Sequence, residues 1–170
     1  WNAIKYEYGG LLVHKNGRGM LGFERLRTFD LQSCTGEMVP RYIEDEELGT
    51  IFVGEEYVTQ LETCVSTETI YAQRFQYTGM PKETTQRFGT EGAIISKATN
   101  DLRVKTTAQS GLFPYIKQSV EKQYLIYNDF STSTSAQSMT RSDFTYDSWG
   151  NLTESTVKTF DGEGGNSFLE

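Results

Sequence analysis

The sequence is poor in the residues that most metal sites and catalytic triads require. Its 170 residues include one His, two Cys and three Pro. His14 stands in no HxH or HExxH pattern, and Cys34 and Cys64 belong to no CxxC pair, so zinc ligation is not predicted. A GxSxG nucleophile segment is also missing. We therefore predict no enzyme activity, no metal and no cofactor.

The chain also lacks a surplus of basic residues and a long apolar run. Sixteen Lys and Arg stand against 23 Asp and Glu, for a net charge of −7. Phosphate binding needs clustered cations, so a nucleic-acid partner is not expected. A membrane span needs about 20 consecutive apolar residues, and none is expected here. The sequence opens on Trp1 without a signal peptide, and we expect it to be a segment cut from a longer polypeptide.

The residues that are abundant favour strands. Ten Tyr and ten Phe accompany many Thr, and these residue types fit a pleated, half-buried surface. Alternation of period two runs through most of the chain, and Gly-rich turns separate the segments. We predict an all-β fold of roughly ten to twelve short strands, in which consecutive antiparallel β-hairpins form a curved sheet or a piece of a β-shell. Residues 1–170 are predicted to be one β-rich segment.

Several local features sharpen this prediction. The acidic run Glu44–Glu47 is expected to be a solvated loop. Tyr57–Val65 alternates as a strand, with a helix over Gly54–Thr63 as the weaker alternative. Pro81 is expected at a turn or at the start of an edge strand, because it has no N–H to donate to a central ladder. Gly111–Tyr115, which includes Pro114, is expected to break the strand pattern.

The two cysteines leave a choice open. Each falls in a strand or turn, and the pair can form a disulfide only if the fold brings them together. The sequence favours two separate thiols that behave as small apolar side chains.

One segment has the chemistry of a tight turn between two strands. Tyr146 is an amphipathic anchor, because its ring packs on a sheet while its hydroxyl reaches a polar partner. Asp147 accepts backbone N–H groups in an Asx-turn, and Gly150 supplies positive φ. Asn151 tolerates the same backbone region, and Leu152 restarts the strand. The sequence therefore predicts a hairpin at this point, within a unit spanning residues 144–160.

The Tyr146-Asp147-x-x-Gly150-Asn151-Leu152 string resembles the YD repeat of bacterial RHS-type proteins. Three upstream segments are similar to parts of the same proteins and follow in the same order. The first is a GRG-x-LGF-like turn, the second is Tyr71–Pro81, and the third joins Phe113–Tyr115 to Ser119–Lys122. The residues that match in the first segment are Gly17, Arg18, Gly19, Leu21, Gly22 and Phe23. The chain is thus identified as resembling the RHS/YD-repeat family, near regions shared with toxin-complex B subunits.

The resemblance implies a structural role. Members of this family wind hairpins into a hollow shell that encloses or presents a toxin or another polymorphic C-terminal effector. The implied partners are the rest of the full-length chain, an enclosed toxin domain, and other copies that pair through exposed strand edges. A secreted or cell-surface location is implied as well. The self-cleaving segment of some members has no match here, so no catalytic residue is carried over.

Other functions compete with this one. Exposed aromatics such as Trp1, Tyr6, Tyr8 and Trp149 are the basis of the alternative, a cell-surface carbohydrate- or protein-binding β module, although packing of Trp149 against the next hairpin is favoured. A β-rich hydrolase is supported only by the number of carboxylates. Calcium binding at the acidic run or at residues 161–165 is less expected than a solvated turn, because alternating oxygen ligands are missing.

Overall fold

The computed structural model describes residues 3–14, 19–45, 49–128, 131–162 and 167–169. For residues 167–169 it describes the backbone alone. It contains eleven strands and two 3₁₀ turns, at Leu61–Thr63 and Phe75–Tyr77, and no α-helix among the described residues. The strands are β1 (Ile4–His14), β2 (Gly19–Asp30), β3 (Gly36–Asp45), β4 (Gly49–Thr59), β5 (Val65–Tyr71), β6 (Pro81–Phe88), β7 (Ile94–Thr106), β8 (Leu112–Gln123), β9 (Ser138–Tyr146), β10 (Leu152–Asp161) and β11 (Ser167–Leu169).

Nine strands form one antiparallel sheet in the order β1-β2-β5-β6-β7-β8-β9-β10-β11. Strands β3 and β4 form a separate two-stranded sheet, which we call the arm. Apart from this insertion between β2 and β5, each strand pairs with the next one along the chain. The predicted all-β fold of consecutive antiparallel hairpins is confirmed.

The sheet has little buried apolar interior. Among the described residues, the buried hydrophobic side chains are Phe29, Cys64 and Ala136. The accessible surface is 11,496 Å², whereas a folded monomer of this mass exposes about 8,500 Å². Large residues on the arm, such as Tyr42 and Tyr57, are 56% and 62% exposed. The described strands are therefore one layer with no second sheet packed on it.

The arm is held at its base by a disulfide. Cys34 and Cys64 are bonded, with their Cα atoms 4.1 Å apart, so the expectation of two separate thiols is wrong. Beside the disulfide, the backbone N–H of Thr35 donates to Thr63 Oγ1 at 2.8 Å. The bond closes the entry and exit of an insertion that leaves the main sheet after β2 and returns at β5. The sequence could not show that Cys34 and Cys64 are bonded, because the two cysteines come together only once β3 and β4 have paired.

Three local predictions are wrong in or beside the arm. Glu44 and Asp45 belong to β3 rather than to a loop, while residues 46–48 lie outside the described residues. The strand expected over Tyr57–Val65 is interrupted, since β4 ends at Thr59 and a 3₁₀ turn precedes β5. The helix over Gly54–Thr63 is wrong as well. Alternation continues through this stretch, but the chain must reverse there to bring Cys64 back to Cys34.

Two prolines sit inside the main sheet. Pro81 begins a strand as expected, but β6 lies between β5 and β7 and is not an edge strand. The break expected over Gly111–Tyr115 is confined to Gly111, because β8 begins at Leu112 and Pro114 lies within it opposite Val104. Strand β9 pairs with β8 only from Gln118 to Gln123. Pro114 therefore occupies an edge-like part of β8, where a missing N–H is tolerated.

Candidate functional site

The Asp147 carboxylate organises the turn between β9 and β10. Its Oδ1 accepts the backbone N–H of Trp149 at 2.8 Å and that of Asn151 at 2.9 Å. Its Oδ2 accepts the side-chain amide of Asn151 at 2.9 Å. The Asp147 N–H in turn donates to the Asn151 carbonyl at 2.9 Å. The geometry is the Asx-type turn that the sequence predicts.

These hydrogen bonds act on the carboxylate as well as on the turn. The side-chain amide and the backbone N–H of Asn151, followed by the backbone N–H groups of Trp149 and Gly150, lower the pKa of Asp147 below its ordinary value. A carboxylate that accepts several N–H groups is stabilised in its charged form. Asp147 is thus an ionised turn acceptor, and its oxygens are engaged in the turn itself.

Gly150 is required by both backbone and packing. Its φ is +97°, in a region that L-residues rarely adopt. A Cβ built on it would lie 3.2 Å from the Cδ2 atom of Phe113. The turn therefore lies directly against the β8 ring, and this close approach explains the glycine at this position.

Tyr146 anchors the turn in an aromatic cluster. Its ring centroid lies 5.5 Å from that of Phe113 and 5.1 Å from that of Tyr115. The Phe113 and Tyr115 rings stack with their centroids 5.8 Å apart. Tilted and edge-on contacts at these distances are the favourable aromatic arrangements. The motif residue from β9 and the Phe113–Tyr115 segment of β8, which are distant in sequence, form one structural unit.

Lys105 fastens this unit from β7. Its Nζ donates to the Tyr146 carbonyl at 2.9 Å and also to the Asp147 carbonyl. The same ammonium lies 5.8 Å from the Tyr115 ring centroid, within cation–π range. Sequence reasoning missed Lys105, because nothing in the local pattern distinguishes it from a solvent-facing lysine.

A backbone hydrogen bond also joins the Tyr146 turn to the connection between β7 and β8. The N–H of Ala108, in the β7–β8 connection, donates to the Ser148 carbonyl at 2.9 Å. That connection is itself closed by the Thr107 N–H, which donates to the Gly111 carbonyl at 2.8 Å. The β7–β8 turn and the β9–β10 turn are thus joined at one end of the sheet. Leu152 restarts β10 as predicted and pairs with Tyr146.

The described part of the GRG-x-LGF-like segment lies in β2, next to the edge strand β1 and five strands away from β9 in the sheet. Gly17 and Arg18 lie outside the described residues. Gly19 begins β2, and Gly22 pairs with Leu12 where the β1–β2 register shifts. Phe23 and Leu21 belong to β2 as well, and the Phe23 ring lies 4.9 Å from that of Tyr8. The structure therefore does not bring this segment together with the Tyr146 turn.

The remaining candidate residues are scattered. The His14 ring lies 5.8 Å from Phe75, and the β3–β4 carboxylates lie on the arm. Within the described ranges, no group of three His, Cys, Asp or Glu is placed to hold a metal ion. Residues 163–166 of the terminal acidic turn lie outside those ranges. Trp149 is 59% exposed, so the expected packing against a neighbouring hairpin is not found in the described part.

A groove of about 600 Å³ opens beside the loop between β5 and β6. It is lined by Tyr71, Arg74, Tyr77 and by Asn100 and Arg103 of β7, among others. The groove adjoins the Tyr71–Pro81 segment identified from the sequence. Its volume lies in the range of small-molecule sites.

Comparison with known proteins adds no relative. No family model matches the chain, and neither curated proteins nor solved structures give a significant match. Over the described residues, no helix has the length and apolar character to cross a bilayer. The case for a function therefore depends on the geometry of the sheet and its turns.

Proposed function

We propose that the chain is a wall segment of an RHS/YD-repeat-type shell that encloses or presents a toxin or another polymorphic C-terminal effector. The observation that carries the proposal is the single-layer meander. A nine-stranded sheet with few buried apolar side chains gains little stability from apolar burial when it is isolated, but it is suited to form the wall of a larger shell. In this proposal the Tyr146 turn has a structural role, which is to join successive hairpins, and no catalytic role is assigned to it.

The open edges support the same role. Among the described strands, β1 has only β2 as a neighbour, and β11 pairs with β10 at two positions. An unpaired edge carries a row of N–H and C=O groups that another strand can bind. In the proposed shell, the preceding and following hairpins of a longer chain pair with these edges.

The disulfide supports an extracellular or surface location. Disulfides persist in oxidising compartments and are rare in the bacterial cytoplasm. The Cys34–Cys64 bond closes a 30-residue separation at the base of the arm, and it would be reduced in most cytoplasms. We propose that the shell is secreted or displayed at the cell surface.

Hydrogen exchange tests the wall proposal. The 170-residue chain is compared with a longer product of the same gene that extends beyond both ends. The outward-facing amides of β1 are expected to exchange rapidly in the short chain and at least tenfold more slowly in the long one. Amides between β6 and β7, which are paired in both, serve as the internal control. Equal exchange of the β1 amides in the two proteins would refute the wall role.

A carbohydrate- or protein-binding module is the second candidate, because some aromatics are exposed side by side. Tyr6 and Tyr8 are 52% and 58% exposed, and their rings are stacked with centroids 6.4 Å apart. A Tyr6→Ala/Tyr8→Ala variant should lose glycan-array signal if this surface binds sugar, while Tyr127→Ala, at a separate exposed site, should not. An array on which the intact chain gives only background signal would eliminate the sugar-binding form.

A further inference from the structure

The arm carries most of the net charge of the chain. Residues 36–59, which comprise the arm and the connection between its strands, contain seven Asp and Glu and one basic residue, Arg41. Their net charge is therefore −6, whereas the remainder of the chain, with 16 acidic and 15 basic residues, has a net charge of −1. The acidity of the protein is thus concentrated in one insertion and is nearly absent from the rest of the sequence.

One face of the arm is formed by large apolar side chains. Residues directly opposite each other in an antiparallel pair lie on the same face, and residues alternate between the faces along a strand. Met38 therefore shares a face with Tyr57, and Tyr42 shares a face with Phe52. Met38 and Tyr42 are four residues apart along β3, so both pairs lie on the same side. We call the side defined by Met38, Tyr42, Phe52 and Tyr57 the aromatic face.

The aromatic face is open over the described part of the chain. Its four side chains are 55–62% exposed, although the Tyr42 and Phe52 rings contact each other with their centroids 5.6 Å apart. A Cβ built on Gly36 would lie 2.6 Å from Cζ of Tyr57, so the Tyr57 ring extends over β3. Side chains of this size present about 150–250 Å² each, so their exposed parts leave roughly 300–500 Å² of apolar surface. A patch of that size is as large as the largest on a typical monomer, and such patches are often interaction sites.

Two carboxylates lie on the aromatic face beside these apolar side chains. Glu44 follows Tyr42 by two residues along β3, and Glu55 lies opposite Pro40, between the two apolar pairs. Glu44 accepts the Thr50 hydroxyl at 2.8 Å, and this neutral donor does not offset its charge. Neither carboxylate forms an ion pair with any residue that the structure describes. The aromatic face therefore combines exposed apolar surface with negative charge.

The charge and size of this face restrict the partners that fit it. Nucleic acid and anionic membrane surfaces bring negative charge of their own and would be repelled. A second copy of the arm would add a further charge of −6. Two aromatic faces packed together would also bury only about 600–1,000 Å², less than the roughly 1,200–2,000 Å² of a stable interface. A partner with Lys and Arg beside apolar side chains would match both the charge and the apolar surface.

We propose that the aromatic face of the arm is a docking site for a basic polypeptide segment of a separate protein. The segment packs apolar side chains on the Tyr42–Phe52 pair, and its flanking Lys or Arg side chains reach Glu44 and Glu55. A separate protein is favoured over a further segment of the same polypeptide, because the arm leaves the main sheet and returns to it at one disulfide. The strand-to-strand path of the main sheet therefore does not include the arm. None of these features depends on the shell role proposed above.

Fluorescence anisotropy with labelled peptides tests the docking site on the 170-residue chain. The probe is the sequence Lys-Phe-Leu-Lys-Gly repeated three times, and two control peptides replace its Phe-Leu with Ser-Ser or its Lys with Glu. The probe should bind at low salt and weaken as salt rises. Each control peptide should bind roughly tenfold more weakly or worse, because it lacks one of the two required features. Equal affinity for the probe and for either control peptide would overturn the proposal.

Serine variants locate the apolar part of the site. Phe52→Ser should bind the probe roughly tenfold more weakly, because a packed aromatic contact is lost. Val58 lies opposite Glu37, on the other face of the arm, and is 41% exposed. Val58→Ser should therefore bind the probe as the parent does. Equal losses of affinity in the two variants would contradict the assignment to the aromatic face.

Glutamine variants test the charged part of the site. Glu44→Gln/Glu55→Gln should bind the probe roughly fivefold more weakly, the effect of two exposed charge contacts. Glu91→Gln/Glu154→Gln removes the same charge from exposed positions outside the arm and should leave the affinity nearly unchanged. The same loss in both double variants would show attraction to the net charge of the chain and would overturn the site.

A measurement on the unaltered chain covers the case in which Phe52→Ser fails to fold. The probe should protect Tyr42 and Tyr57 from nitration by tetranitromethane, as read by mass spectrometry, more than it protects Tyr127, which is 50% exposed outside the arm. Equal protection of all three tyrosines would overturn the proposal. Self-association of the unaltered chain that Phe52→Ser abolishes would replace the basic partner with a second copy. Protection of Tyr42 and Tyr57 in a longer product of the same gene, without added peptide, would replace the separate protein with a segment of the same polypeptide. The wall proposal is tested separately by the exchange of the β1 amides.

Discussion

Substitution of Gly150 by Ala tests whether the Tyr146 turn is fixed by packing as well as by backbone. Gly150 has a φ of +97°, and positive φ costs an L-residue about 1–2 kcal/mol. The new Cβ would also meet the Phe113 ring at 3.2 Å. Displacing that ring from its stack on Tyr115 should cost about 1 kcal/mol more, at the low end for overpacking. We expect a total loss of about 2–3 kcal/mol in the free energy of unfolding.

Gly79→Ala is the matched control. Gly79 has a φ of +79°, but no atom lies within 4 Å of a Cβ built on it, so only the backbone cost applies. Thermal unfolding followed by circular dichroism should show a fall of roughly 4–12 °C for Gly150→Ala, at about 2–4 °C per kcal/mol, and a smaller fall for Gly79→Ala. A double-mutant cycle with Phe113→Leu should reveal a coupling of about 1 kcal/mol. The reasoning is refuted if the two glycine variants lose equal stability or if the cycle shows no coupling.

Three further predictions concern the disulfide and the turn. Cys34→Ser/Cys64→Ser should lose roughly 3–4 kcal/mol of stability, the chain-entropy value for a 30-residue separation, and dithiothreitol should lower the melting temperature of the parent but not of the variant. Lys105→Met should cost about 1.5–3 kcal/mol, because the Tyr146 carbonyl loses a charged donor; a stability equal to that of the parent would contradict the proposed clamp. The pKa of Asp147 is lowered in the folded chain, so its contribution is complete above its unfolded value near pH 4 and lost as the pH falls through the lower folded value. Urea unfolding of the parent and of Asp147→Ala should therefore differ at pH 7 and converge toward pH 2, and a difference that persists at pH 2 would exclude the carboxylate as its source.

The fold class could be read from the sequence because alternation is a local signal. The period-two pattern and the Gly-rich turns predict consecutive hairpins, and the strand register confirms them. The positions at which strands begin and end are predicted less accurately. Tyr57–Val65 reads as one strand, yet the chain turns after Thr59, because the position of that turn depends on where β3 and β4 pair. Gly111–Tyr115 reads as a break although β8 begins at Leu112, since local sequence does not reveal that this part of β8 lacks a second partner.

The exposure of the arm could not be predicted from the sequence pattern. Alternating apolar residues in β3 and β4 indicate strands, but they do not show whether another layer covers them. In the described structure Met38, Tyr42, Phe52 and Tyr57 are each more than half exposed. A two-stranded sheet is marginally stable in water, and the disulfide at its base compensates by shortening the loop that the unfolded chain must close.

The all-β class and the Tyr146 turn follow from local sequence, because the hydrogen bonds of the Asp147 carboxylate reach no further than four residues along the chain. Three other features depend on contacts between segments that are distant in sequence. Cys34 meets Cys64, Lys105 reaches the Tyr146 carbonyl, and Tyr57 lies opposite Met38 in the arm. Each of these depends on strand pairing between distant segments, and a one-residue change of register would move a side chain to the other face. Composition records how many aromatic residues the chain contains, whereas register decides which of them share a face of a sheet.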